Sequence, residues 1–126
     1  MADGAILNIG VQRNEDYLRV FRFTNSDDDT AFDVSGWTFE FRINSATGLG
    51  DPPLILVSGT ATTNGSVITV EDSDDGRVSI KILKEDLEYL PGRRTNVINY
   101  AYNLIATNAG NRRAVMRGTF TAEPGV

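Results

Sequence analysis

The chain contains no cysteine and no histidine. Without cysteine there is no disulfide framework and no thiol nucleophile, although this does not identify a compartment. Without histidine the usual general base, the commonest side-chain metal ligand and the Ser–His pairing of most hydrolases are gone. Long hydrophobic runs are missing as well, and no stretch approaches the roughly 20 apolar residues of a membrane helix. No basic segment followed by an apolar run opens the chain, so a signal peptide is not expected. Positive charge is scarce: 12 Lys and Arg face 17 Asp and Glu, for a net charge of −5. A sequence-independent nucleic-acid binder needs clustered cations to displace counterions. Neither nucleic acid nor a membrane is therefore an expected partner.

What remains is ordinary globular material. The 126 residues, 40% of them hydrophobic, suit a single domain spanning residues 1–126 and are too apolar for disorder. The segment Asp33-Val34-Ser35-Gly36-Trp37-Thr38-Phe39-Glu40-Phe41-Arg42-Ile43 is the most informative. Asp33, Ser35 and Gly36 supply turn chemistry, and Gly36 is free to take a positive φ. From Trp37 on, the residues alternate. Trp37, Phe39, Phe41 and Ile43 share one face; Thr38, Glu40 and Arg42 share the other. That is the period of a half-buried strand.

Further strands are expected over residues 5–11, 17–23, 54–62, 66–71, 77–83, 96–106 and 113–122. In 17–23, Tyr17, Phe21 and Phe23 share a face with Arg19 while Leu18 and Val20 lie opposite, which predicts a strand covered on both sides. It is expected to pair with the Trp37 strand as a long-looped hairpin. Asn64-Gly65 is a strong hairpin signal between 54–62 and 66–71. Asp72 to Gly76 and Asn108-Ala109-Gly110-Asn111 read as turns. In the last strand Ala114, Met116, Gly118 and Phe120 are expected on one face. Residues 84–90 are the one helical patch, with Leu83, Leu87 and Leu90 at helical spacing and Pro91-Gly92 as the stop. Short strands with regular turn signals predict an all-β fold, an antiparallel two-sheet sandwich with one short helix before the penultimate strand.

Chemistry-bearing motifs are few. No P-loop or dinucleotide fingerprint occurs, and Gly48-Leu49-Gly50 lacks the third glycine and the following helix. Asp and Glu cluster in turns, where backbone hydrogen bonding accounts for them. Two acidic loops, Asp27-Asp28-Asp29 with Asp33 and Asp72, Asp74 and Asp75, begin to resemble calcium sites. Calcium takes six to eight oxygens, and the second loop lacks the downstream bidentate Glu. Turns are the better reading, so no cofactor or metal is expected, and no enzyme. Trp37, Phe39, Phe41, Tyr100 and Tyr102 suggest a sugar platform, but alternation assigns most of them to a core. Tyr100 or Tyr102 is also a candidate to tie its hydroxyl to a neighbouring corner. The loops are the candidate partner contacts: Asn25, Asp28 and Thr30 in 25–30, Asn44, Leu49 and Asp51 in 44–53, and Arg93 and Arg112 in the two Arg pairs.

Several segments resemble a family. Asp33-Val34-Ser35-Gly36-Trp37 before an aromatic strand is similar to the Asp-Leu-Thr-Gly turn of small tailed-phage virion proteins, including N-terminal attachment domains of baseplate receptor-binding proteins. Gly76-Arg77-Val78-Ser79-Ile80, Glu85-Asp86-Leu87, Tyr100-Ala101-Tyr102-Asn103-Leu104 and Arg117-Gly118-Thr119-Phe120-Thr121 stand where that family has its later motifs. Asn103 and Ser35 depart from its usual Asp and Thr. The resemblance covers residues 13–122. It implies an immunoglobulin-like sandwich acting as an assembly module in a virion, assembled in the host cytoplasm. Other virion proteins are the implied partners, with homo-oligomer formation open, and no catalytic residue is carried over. Alternatives are a capsid decoration protein and a carbohydrate-binding module.

Overall fold

The computed structural model describes residues 5–25, 27–45, 53–90 and 97–124. These form nine strands: β1 (Ala5–Ile6), β2 (Ile9–Gln12), β3 (Tyr17–Arg22), β4 (Thr38–Asn44), β5 (Ile55–Ser58), β6 (Val67–Asp72), β7 (Arg77–Ile82), β8 (Ile98–Asn108) and β9 (Asn111–Glu123). A four-residue helical turn, α1 (Lys84–Leu87), sits between β7 and β8. The larger sheet has six strands in the order β1-β9-β8-β4-β5, with β2 also on β9; the smaller is β3-β7-β6. The fold is mostly β, two sheets in a sandwich-like arrangement.

Local sequence explains the turns. Val34 C=O accepts from Trp37 N–H at 3.0 Å, and Asp33 Oδ1 accepts from Ser35 N–H at 2.8 Å. Gly36 takes φ +79° between them, the left-handed third position of a type II turn. At the β8–β9 hairpin Ala109 and Gly110 both have positive φ, 51° and 83°. A two-residue type I′ turn requires that, and its twist matches the flanking strands.

Four expectations are corrected. First, β3 and β4 do not pair: β3 bonds β7, and β4 lies between β5 and β8. Second, β5 and β6 belong to different sheets, so Asn64-Gly65 does not close a hairpin. Gly65 does turn, at φ +104°, but inside a crossing from one sheet to the other. Third, the expected first strand is split into β1 and β2, and both run parallel to β9, so the sandwich is not wholly antiparallel. The split has a cause at Gly118. A Cβ there would lie 2.2 Å from the Leu7 carbonyl oxygen, which turns inward and accepts the Tyr102 hydroxyl. Asn8 Oδ1 then accepts from Thr119 N–H at 3.1 Å. Fourth, a bulge at Val115 shifts the β8–β9 register between Leu104 and Ile105. An extra residue reverses side-chain direction. Ala114 therefore faces away from Met116 and is exposed, while Val115 is buried.

The core lies between the sheets. Phe41 stacks on Tyr102 at 5.0 Å and meets Phe120 edge-on at 6.0 Å. Val78, Ile80 and Ile82 of the small sheet are fully buried against them. Phe23 stacks on Phe39 at 5.5 Å, tying the end of β3 to β4. Such pairs contribute about 0.5–1.5 kcal/mol each beyond their area. Burial, with the Tyr17 hydroxyl nearby, pushes the Tyr102 phenol up to about 12.

At the far end, Asp86 of α1 is a buried polar hub. Its carboxylate accepts from Thr62 Oγ1 at 2.6 Å, Asn64 Nδ2 at 2.8 Å and the Ser66 hydroxyl. Ser66 Oγ in turn accepts from Leu83 N–H at 2.9 Å. The Asn-Gly turn is thus pinned to the helix instead of to a ladder.

Candidate interaction surface

The chain from β3 to β4 folds over one end of the sandwich. Asn25 N–H donates to Thr30 C=O at 2.8 Å, and Asn25 Nδ2 donates to Thr30 Oγ1 at 3.0 Å. The Thr30 hydroxyl and N–H both donate to Asp28 Oδ1, at 2.6 and 3.1 Å. Those two bonds hold the Asp28 carboxyl below its ordinary range. Asn25, Asp28 and Thr30 are therefore brought together, as members of one closed turn.

Arg112 reaches the same end. It pairs with Thr107, and Thr107 pairs with Thr38 at the start of β4. Trp37 joins it there, packed edge-on against Phe32 at 6.0 Å. Two depressions meet at the indole. One, about 600 Å³, is lined by Trp37, Asn111, Arg112, Arg113 and Ala114. The other, about 530 Å³, runs between the sheets past Phe39, Leu56, Ile68 and Val70. One is cationic and the other apolar. Asn44 is not part of this end. It closes β4, six residues beyond Thr38, or roughly 20 Å at the rise of a strand. Leu49, Asp51 and Arg93 lie outside the described residues.

The acidic loops are occupied by their own turns. Asp33 accepts from Ser35 and Asp72 Oδ1 accepts from Asp75 N–H at 3.3 Å. Asp75 pairs with Arg77 at 2.6 Å and with Arg22 at 3.1 Å. Among the described residues no group of three or more acidic side chains is arranged to hold a metal ion. The aromatic residues behave as core: Phe39, Phe41, Tyr100 and Tyr102 are all buried, and Trp37 is half-buried. Tyr102 ties its hydroxyl to the Leu7 corner, while Tyr100 accepts from buried Arg13 at 3.0 Å.

Sequence reasoning missed the β3 edge. Leu18 and Val20 were expected to be covered, yet they are 65% and 55% exposed. The strand bonds β7 on one side and no described strand on the other. Arg19 and Arg22, interspersed with the apolar residues, were the available signal, because charged side chains commonly mark sheet edges. Compared with known proteins, the chain matches no protein-family model and no curated protein.

Proposed function

We propose that this protein is a structural assembly component of a tailed-phage particle, at the tail, baseplate or fibre attachment, working through protein–protein contacts and not as an enzyme. The observation that carries this reading is where the resemblance motifs fall. Their glycines stand where the backbone demands them. Gly36 and Gly76 have positive φ, a Cβ on Gly76 would meet the carbonyl oxygens of Phe23 and Phe32 at 2.6 Å, and Gly118 admits the Leu7 carbonyl. A motif set made of turns and close approaches is a scaffold signature, and it supports kinship with proteins whose shared pattern is structural.

The strand order supports an immunoglobulin-like version of the sandwich. With β1 and β2 as the A strand, β9-β8-β4-β5 follow the order G-F-C-C′, and β3-β7-β6 follow B-E-D. The α1 turn then fills the crossing before strand F. On this reading the partners are other virion proteins, and the protein resides in the particle. Labelled antibody on intact particles is the test. Label at the tail or its tip is the expected result. Label spread over the capsid would transfer the protein to the decoration class, and particles without label would sink the proposal.

A further inference from the structure

We infer that the free edge of β3 is a docking site for an extended, acidic segment of a partner protein, added to the small sheet as a further strand. The assembly role rests on the reading above; the edge itself rests on backbone geometry and charge.

Phe23 N–H donates to Gly76 C=O at 2.9 Å, continuing the antiparallel β3–β7 register. Bonding direction alternates along an antiparallel pair. Arg19 and Phe21 therefore bond β7, while the N–H and C=O groups of Leu18, Val20 and Arg22 point outward. Among the described residues none bonds that outer row. The register runs from Tyr17 to Arg22 without a bulge. Other edges are protected. β6 carries a bulge between Val70 and Asp72, β5 has four residues, and the β1–β2 edge is broken at Leu7. Natural sheets use those devices to prevent strand addition. β3 has no bulge or break; the device it carries is positive charge, Arg19 and Arg22, which disfavours a like-charged strand but not an acidic one, and it exposes Leu18 and Val20 on its outer face.

Charge selects the partner. β3 and β7 together carry Arg19, Arg22, Arg77 and Lys81 and no carboxylate, on a chain whose net charge is −5. Arg22 and Arg77 are paired with Asp75. Arg19 and Lys81 have no carboxylate partner among the described residues. The Arg19 guanidinium lies over the Phe21 ring, 5.0 Å from its centroid. An incoming strand with carboxylates at alternate positions meets Arg19, and its apolar residues cover Leu18 and Val20. A second β3 is a poorer occupant, since it brings more arginine to the same edge.

The probes are two capped peptides, one alternating valine with glutamate and one alternating valine with lysine. Binding is read by fluorescence anisotropy, and its place by amide hydrogen exchange. The glutamate peptide is expected to bind more tightly by about tenfold and to protect the amides of Leu18, Val20 and Arg22. Two variants address the edge. Arg19→Glu should abolish the preference between peptides. Val20→Pro should weaken binding by about tenfold with little change in melting temperature, because the lost N–H points outward and serves no ladder bond. Equal binding of both peptides, no binding at roughly millimolar peptide, protection on β5 or β6 instead, or a dimer that buries β3 without peptide would each overturn the inference. A protein found in the particle whose Val20→Pro variant assembles normally would remove the edge proposal alone. Peptide docking on β3 by a protein absent from particles would remove the virion reading alone.

Discussion

Gly36 and Gly76 hold turn geometry that a side chain adopts only with strain. At Gly36 the obstacle is φ +79° alone, since a Cβ would meet only Asn108 Oδ1 at an ordinary 3.9 Å; at Gly76 it is φ +69° plus two carbonyl oxygens 2.6 Å from a Cβ. Gly36→Val should destabilise by roughly 1–3 kcal/mol, the range for a non-glycine residue held left-handed. Gly76→Ala should cost more than Gly36→Ala, because backbone oxygens must also move; urea midpoints rank the two. Asp86 is the third sensitive residue. Burial raises its pKa, but the donated bonds of Ser66, Thr62 and Asn64 outweigh burial and leave it below 3.8. A depressed carboxylate contributes stability above its unfolded value and loses it as pH falls through the folded one. Asp86→Asn replaces an acceptor oxygen with a donor amide, and should cost about 2–3 kcal/mol near neutrality. That deficit should shrink below about pH 4. Urea midpoints of both proteins in neutral and acidic buffer check this, and a constant difference would mean the carboxylate charge is not what holds the hub.

At the scale of elements, most strand positions were legible, but strand partners only where a tight turn joins neighbours, as at Asn108–Asn111 between β8 and β9. Alternation at Trp37–Ile43 and at Tyr100–Leu104 reports which face is apolar. It carries no information about which strand lies alongside, which is settled by packing across the sandwich. The Asn64-Gly65 signal shows the gap: the dipeptide turns as its chemistry requires, but Asp86, not a neighbouring strand, fixes its surroundings. The Val115 bulge was not legible because Ala114, Val115 and Met116 form an apolar run that fits either phase of a strand. Of the candidate contacts, the Asn25–Asp28–Thr30 turn was legible from loop chemistry. The β3 edge was not, since apolar residues on both faces read as burial. Hydrogen exchange tests the assigned phase of β3 in the free protein. Leu18, Val20 and Arg22 amides should exchange fast, and those of Arg19 and Phe21 slowly. The opposite pattern would place the ladder on the wrong residues.

Across the whole molecule, the two sheets share one continuous buried cluster that includes Phe41 and Phe120 from the large sheet and Val78, Ile80 and Ile82 from the small. Among the described residues neither sheet has another layer on which to bury its inner face, and α1 with the Asp86 hub clamps the crossing between them. Each sheet should therefore be unstable without the other, since burial of those faces is the main favourable contribution to folding. Trp37 is the sole tryptophan and sits at the loop-bearing end against Phe32, so its fluorescence reports one pole of the sandwich. Far-UV circular dichroism reports the strands of both sheets. The two urea transitions should coincide, as they do when a small domain unfolds in one step. If the fluorescence transition comes first while the strand signal persists, the Trp37 end opens independently. The loops and grooves there would then be a locally adjustable surface instead of part of a rigid scaffold.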